Sequence, residues 1–151
     1  MSRLPLLLTV IIAGVLVSGC ADAPPEAEGI RADRAIERAP GGGIFHVVRV
    51  TGEGIRLRFE PAQLEIDAGD AVRFVQTRSV PVSVNFEPTG LPPEAREWAA
   101  EAGLSRGPLL TDPGAIYEVD FADAPPAVYR YLAPGFEDLE GRIEVAAEDD
   151  D

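Results

Sequence analysis

From Ile44 onward the chain consists of short segments rich in Val, Ile, Phe and Tyr, separated by turns that contain Gly or Pro. This alternation is typical of β-sandwiches and β-barrels. Gly and Pro supply the φ angles that tight turns need, for example at Ala68-Gly69-Asp70 and Ala124-Pro125-Pro126. The pattern therefore predicts an all-β domain. Eight strands are predicted, near Phe45–Thr51, Ile55–Glu60, Gln63–Ile66, Asp70–Thr77, Val80–Phe86, Tyr117–Phe121, Ala127–Leu132 and Gly141–Ala146.

A single helix is predicted between the fifth and sixth strands. Pro92 and Pro93 lie where a helix tolerates missing amide donors, and residues 94–102 are strong helix formers. Gly103 is suited to a left-handed cap at the end of the helix. Trp98 lies at helical spacing from two alanines, which favours a packing role over stacking on a ligand.

The first twenty residues have the features of a targeting segment. Arg3 is followed by an apolar run from Leu4 to Val17, which is shorter than the roughly 20 residues of a membrane-spanning helix. The run ends in Val17-Ser18-Gly19-Cys20, which resembles the lipobox of bacterial lipoproteins. That resemblance implies a signal peptide at residues 1–19 and a lipidated Cys20, which would anchor the protein to a membrane on its periplasmic or extracytoplasmic face. The alternative is an ordinary thiol near a signal-peptidase site.

The rest of the chain is predicted to have three parts. Residues 20–43 are rich in Ala, Pro, Glu, Arg and Gly and lack aromatic side chains, which is typical of a flexible tether. Residues 44–147 have enough apolar side chains for one modest domain. Residues 148–151 are all acidic and are predicted to be a solvated tail.

Composition excludes several classes of function. The 151 residues include 26 acidic and 13 basic ones, all of them Arg, and the formal net charge is −13. Such a charge repels nucleic acid. One Cys and one His cannot form a zinc finger or an iron–sulfur site. No nucleophile–base pair is visible, so no enzyme is predicted. His46 is predicted to be a surface or half-buried strand residue, with metal binding beside nearby carboxylates as the alternative.

Several local sequences resemble the plastocyanin-like cupredoxins, the small copper proteins of electron transfer. The resemblance begins with IRLRFEPAQLEIDAGDAVRFVQ at residues 55–76, where Phe-x-Pro and Ala-Gly-Asp-x-Val-x-Phe are the characteristic patterns. It continues through VPVSVNFEP, GPLLTDPGAIYEVDF and APPAVYRYLAP and ends with LEGRIEV. The fold it implies is an eight-stranded Greek-key sandwich with one short helix.

The same resemblance implies where copper ligands would lie. A type 1 site uses two His, one Cys thiolate and usually a weak axial Met. The resemblance places the first His at Val82, or at Ser83 if the register slips, the Cys at Ala133 or Leu132, the second His at about Gly135 or Phe136, and the Met near Leu139. None of these positions holds a ligand. The only Cys is Cys20, the only His is His46 and the only Met is Met1.

Two functional hypotheses follow. The first is a membrane-tethered, non-catalytic binding or scaffolding module that has lost type 1 copper and needs no cofactor. In it, Val82, Ala133, Phe136 and Leu139 form an apolar patch that either completes the core or binds a protein partner. The second hypothesis is an electron-transfer or copper-handling protein with an atypical metal site, or with ligands supplied by a second chain.

Overall fold

The computed structural model describes residues 37–147, so the predicted signal peptide, Cys20 and the acidic tail lie outside the described residues. Over this range the chain forms ten strands and one helix. They are β1 (Phe45–Glu53), β2 (Arg56–Glu60), β3 (Gln63–Ile66), β4 (Ala71–Gln76), β5 (Val82–Ser83), β6 (Asn85–Phe86), α1 (Pro93–Glu101), β7 (Leu109–Leu110), β8 (Ile116–Asp120), β9 (Ala127–Leu132) and β10 (Glu140–Val145).

The strands form two four-stranded sheets and a small ribbon. The first sheet has the order β2-β1-β4-β8, the second has the order β3-β10-β9-β6, and β5 pairs with β7. β1 and β4 are parallel, with Val48 opposite Phe74, whereas β4 and β8 are antiparallel. The predicted all-β sandwich with one short helix is confirmed.

Alternating burial along the strands creates the core between the sheets. In β2 the side chains of Leu57 and Phe59 are buried and their neighbours are exposed, as period-two alternation requires. Tyr131 lies at the centre of an aromatic cluster. Its ring centroid is 4.9 Å from that of Phe59, 5.0 Å from Phe74 and 5.4 Å from Phe86, with the first two pairs edge to face.

The predicted helix is confirmed, and it packs against the core. Trp98 packs against Phe121 and Tyr129, with ring centroids 5.4 Å apart in both pairs. Gly103 has a φ of 68°, which confirms the left-handed cap after the helix. No helix among residues 37–147 is long and apolar enough to cross a membrane.

The strand prediction differs from the structure at two places. The predicted strand Val80–Phe86 is two short strands, because the chain changes partner at Val84: β5 pairs with β7, whereas β6 pairs with β9. β7 was not predicted from the sequence, because two residues are too few to show periodicity. The other seven predicted strands agree with the structure to within two residues at each end.

Part of the predicted tether, residues 37–43, contacts the sandwich. Ala39 is buried, and the Gly43 amide donates to the Gly69 carbonyl at 3.0 Å. A Cβ atom on Gly43 would collide with Asp70 Oδ1, so this close approach requires glycine.

Candidate functional site

The sandwich has two chemically different ends. We call one the loop end: the β1–β2 hairpin, residues 77–82 and residues 133–139. We call the other the base: residues 41–46 and 67–71, where β1 and β4 begin. At the loop end, the hairpin and residues 135–139 line a common groove.

The structure places three of the four predicted patch residues in the core. Val82, Ala133 and Leu139 are at most 1% exposed, whereas Phe136 is half-buried and packs against the same buried cluster. The Ala133 amide donates to the Leu139 carbonyl at 2.9 Å, and the Phe136 amide donates to the Ala133 carbonyl at 3.2 Å. Residues 133–139 therefore form a compact turn with apolar side chains directed into the sandwich.

Gln76 organises the neighbouring loop and was not singled out from the sequence. It is fully buried at the end of β4. Its Nε2 donates to the Val80 carbonyl at 2.6 Å, and its Oε1 accepts from the Arg78 amide at 2.9 Å. The hydroxyl of Thr77 donates to the Val50 carbonyl. These bonds satisfy the buried amide of Gln76 and connect the loop to β1. The sequence did contain a signal for this role. Gln76 is a polar residue at every-second-residue spacing from the apolar residues Val72 and Phe74, so it falls on the buried face of β4.

The side chains present at the loop end do not fit a copper ion. Type 1 copper requires thiolate and imidazole donors. Residues 37–147 contain neither Cys nor Met, and their only histidine, His46, is at the base. In this part of the chain no three His, Cys, Asp or Glu side chains come together as a metal site. The alternative positions Leu132, Ser83 and Gly135 carry no imidazole, thiol or thioether either.

His46 forms an ion pair or hydrogen bond at the base. Its Nε2 lies 2.7 Å from Asp70 Oδ2, and the two side chains are 21% and 7% exposed. Asp70 also accepts from the backbone amides of Ile44 at 2.8 Å and Asp67 at 3.2 Å. Asp70 therefore connects the start of β1 with the turn that precedes β4. The Ala68-Gly69-Asp70 pattern predicted this turn, but not the partners of its carboxylate.

The environment of Asp70 favours its charged form. Burial on its own would raise the pKa of Asp70, but the hydrogen bonds from Ile44, His46 and Asp67 outweigh burial and hold the pKa below its ordinary value. Asp70 is therefore an ionised, structural carboxylate.

Arg73 fastens the first described residues to the outer face of the first sheet. Its guanidinium makes a bidentate pair with Glu37 at 2.8 and 3.2 Å and a further bond to Glu118 at 2.9 Å. It also lies 3.5 Å from the centroid of the Phe45 ring. The hydrogen bonds to Arg73 lower the pKa of Glu37. The N-terminal segment consequently joins the sandwich at the base and leaves the loop end uncovered by residues 37–43.

The groove at the loop end presents an exposed apolar side chain. Ile55, at the tip of the hairpin, is 84% exposed. Phe136 lines the groove with it, Arg56 and Arg58 lie on the hairpin side, and acidic residues 137–138 lie on the opposite side. An apolar centre bordered by charges of both signs is a surface suited to protein contact.

Comparison with known proteins agrees with this architecture. The family described as copper binding proteins of the plastocyanin/azurin family matches residues 46–145. A plastocyanin from Synechococcus sp. (strain JA-2-3B'a(2-13)) is 32% identical over 94 residues, which cover 61% of this chain and 65% of that protein. The match thus spans slightly less than two thirds of that plastocyanin.

A solved structure of a reduced amicyanin variant is similar in fold. Its TM-score is 0.50 at 19% sequence identity, and the match covers 73% of this chain and 87% of that protein. At this identity the similarity supports the sandwich architecture alone. The family match, by contrast, extends from β1 to the end of β10 and includes more than half of the chain. The chain is a member of the plastocyanin/azurin family of copper binding proteins.

Proposed function

We propose that this protein is a membrane-tethered, non-catalytic binding or scaffolding module that retains the family's sandwich and carries no type 1 copper. The observation that supports this most strongly is the burial of Val82, Ala133 and Leu139 at the positions where the family resemblance places ligands. Apolar side chains there offer no donor to a metal, and their burial stabilises the fold directly.

The order of the loop end supports a retained role for its surface. Gln76 and Thr77 hold residues 77–80 with side-chain hydrogen bonds, and residues 133–139 are closed by two backbone bonds. Ile55 nevertheless remains 84% exposed beside Phe136. We assign this groove to a protein partner with an apolar contact residue, because neighbouring charges of both signs would orient such a partner.

The tether and the anchor belong to the same proposal. The lipobox resemblance at Val17-Ser18-Gly19-Cys20 supports lipidation of Cys20 at the extracytoplasmic face of a membrane. Attachment of residues 37–43 at the base supports a loop end that is free to meet a partner. The lipid anchor would keep the protein concentrated at the membrane, and the loop end of the sandwich would recognise the protein partner.

A second candidate function is electron transfer or copper handling, and membership of a copper-binding family favours it. In that case the metal would need donors from Cys20, which lies outside the described residues, or from another chain. The two candidates differ in whether the protein binds copper through a thiolate.

We expect no thiolate–copper band when Cu(II) is added to the full-length protein in detergent. The physical reason is the lack of Cys, Met and a second His in residues 37–147. The measurements are the visible absorption spectrum and the copper-to-protein ratio after gel filtration. An intense charge-transfer band with one copper per chain would overturn the copper-free proposal. A Cys20→Ser variant identifies the donor: a band that disappears in it comes from Cys20.

We expect Cys20→Ser to release the protein from the membrane fraction. More than one acyl chain gives stable anchoring, whereas an unmodified chain loses this hydrophobic contribution of about 0.8 kcal/mol per buried CH₂. The measurements are membrane fractionation and the intact mass of the mature protein. Ser18→Ala is the matched control, because it keeps the cysteine and a small residue. Equal fractionation of Cys20→Ser and the parent protein would contradict the anchor.

A further inference from the structure

We propose that the protein partner of the loop-end groove is a second copy of this chain, docked in a two-fold symmetric dimer. The inference rests on the proposed function, because it names the partner of the surface assigned there. A surface that binds its own copy across a two-fold axis must be complementary to itself. The groove meets this requirement both in its apolar side chains and in its charges.

The first observation is that the groove has both a protruding apolar side chain and an apolar floor. Ile55, at the tip of the hairpin, is 84% exposed, the largest value for a large apolar side chain in residues 37–147. The groove beside it has a volume of about 750 Å³ and is also lined by Leu57, Phe136 and Leu139. A single exposed isoleucine is ordinary, but one next to an apolar groove can be buried by docking.

The second observation is the separation of charge across the groove. Arg56 and Arg58 line the hairpin side, whereas Glu137 and Asp138 line the side formed by residues 135–139. Among residues 37–147, Arg56, Glu137 and Asp138 form no ion pair. Arg58 approaches only Glu60, at 3.8 Å, and both of these side chains are exposed. An exposed pair of this kind contributes little, so these charges are available to a partner.

A two-fold axis parallel to the groove exchanges its two sides. In the resulting dimer the hairpin of each copy faces residues 135–139 of the other, so a basic side meets an acidic side twice. The same rotation brings Ile55 of each copy to the side of the other groove that carries Phe136. One symmetry operation therefore matches the charges and covers the exposed isoleucine, whereas a groove bordered by charges of one sign would repel its own copy.

The overall charge of the chain sets the conditions for this dimer. A formal net charge of −13 on each copy opposes association. At about 0.15 M salt the Debye length is roughly 8 Å, so charges far from the contact are largely screened. Charges that face each other directly across the groove are screened less. The association is therefore to be measured at this ionic strength.

The test is sedimentation equilibrium of the full-length protein in a density-matched detergent. We expect a reversible equilibrium between monomer and dimer. Ile55→Ser should raise the dissociation constant of the dimer about tenfold or more, because the lost apolar side chain is buried twice, once from each copy. Leu109→Ser is the matched control, since Leu109 is 62% exposed on β7 and does not line the groove. It should leave the dissociation constant unchanged.

A pair of charge-reversed variants tests the two-fold arrangement. One variant carries Arg56→Glu and Arg58→Glu, so both sides of its groove are acidic. The other carries Glu137→Arg and Asp138→Arg, so both sides are basic. We expect each variant to be monomeric on its own and the mixture of the two to form a heterodimer, because every acidic side then meets a basic one.

Three results would overturn the second copy as the partner. The first is a parent protein that is monomeric at every concentration. The second is equal weakening of the dimer by Ile55→Ser and Leu109→Ser, which would place the contact outside the groove. The third is a mixture of the charge-reversed variants that stays monomeric although the parent protein dimerises. A monomeric parent protein would make a different protein the occupant of the groove and would leave the copper-free proposal, which the visible spectrum tests separately, in place.

Discussion

Replacing Asp70 with Ala should lower the free energy of unfolding by about 3 kcal/mol, because the carboxylate accepts three hydrogen bonds at the base. Its removal leaves the Ile44 and Asp67 amides and His46 Nε2 without their acceptor. The measurement is denaturant unfolding of the full-length protein in detergent, followed by Trp98 fluorescence. Such a loss is large for a single domain, whose total stability is typically about 5–15 kcal/mol.

Asp123→Ala is the matched control for this change. Asp123 is an exposed aspartate in a turn, and it should cost less than about 0.5 kcal/mol. Asp70→Asn separates charge from hydrogen bonding, since the amide retains one acceptor oxygen. An Asp70→Ala variant as stable as Asp123→Ala would contradict the role of Asp70 as the connection between β1 and the turn before β4.

Asp70→Asn should also change how the free energy of unfolding depends on pH. The folded-state pKa of Asp70 is lower than its unfolded-state value, so the fold favours the ionised carboxylate. This contribution is fully present above the unfolded-state pKa, about 4, and is lost as the pH falls through the folded-state value. The stability difference between the parent protein and Asp70→Asn should therefore shrink as the pH falls below about 4.

Leu139→Ala should also cost about 3 kcal/mol in unfolding free energy. Leu139 is 1% exposed and belongs to the main buried cluster, so truncation removes apolar contacts and leaves a cavity. Leu139→Met should cost less than about 1.5 kcal/mol, because methionine nearly conserves the volume. Chemical denaturation of the three proteins in parallel measures both effects.

Leu109→Ala provides a control with the same chemical change. Leu109 is 62% exposed on β7, so its truncation should have little effect on stability. Phe136 is half-buried, and Phe136→Ala should fall between the two leucine variants. Equal effects of Leu139→Ala and Leu109→Ala would show that residues 133–139 are not part of the core, and would remove the main support for a loop end repacked without copper.

Much of the strand order could be predicted from local pattern. Buried and exposed side chains alternate in β2 and in the middle of β9, and Gly or Pro marks most turns, so the periodicity and the turn residues predicted the same strands. The prediction was wrong at Val80–Phe86, where apolar residues occupy every second position throughout but the hydrogen-bonding partner changes at Val84. The strand with which a segment pairs is set by tertiary structure, so the strand propensity of the segment does not reveal a change of pairing strand.

For the candidate sites too, one part could be predicted from the sequence and another could not. The lack of copper ligands could be counted from one Cys, one His and one Met. The environment of each replacement could not be predicted, because Phe136 and Leu139 are both apolar residues of one loop and differ only in their contacts across the sandwich. The pair at the base was also hidden, since His46 and Asp70 are 24 positions apart and meet only because β1 and β4 lie side by side in parallel.

The sequence by itself determined the class of fold, the family resemblance and the set of available donor atoms, because these depend on residue type, order and periodicity. Only the tertiary structure decided which polar and charged groups meet: His46 with Asp70, and Arg73 with Glu37 and Glu118. The physical reason is that hydrogen bonds and ion pairs form over about 3–4 Å. Strand pairing brings together, at that distance, residues that local sequence pattern cannot connect.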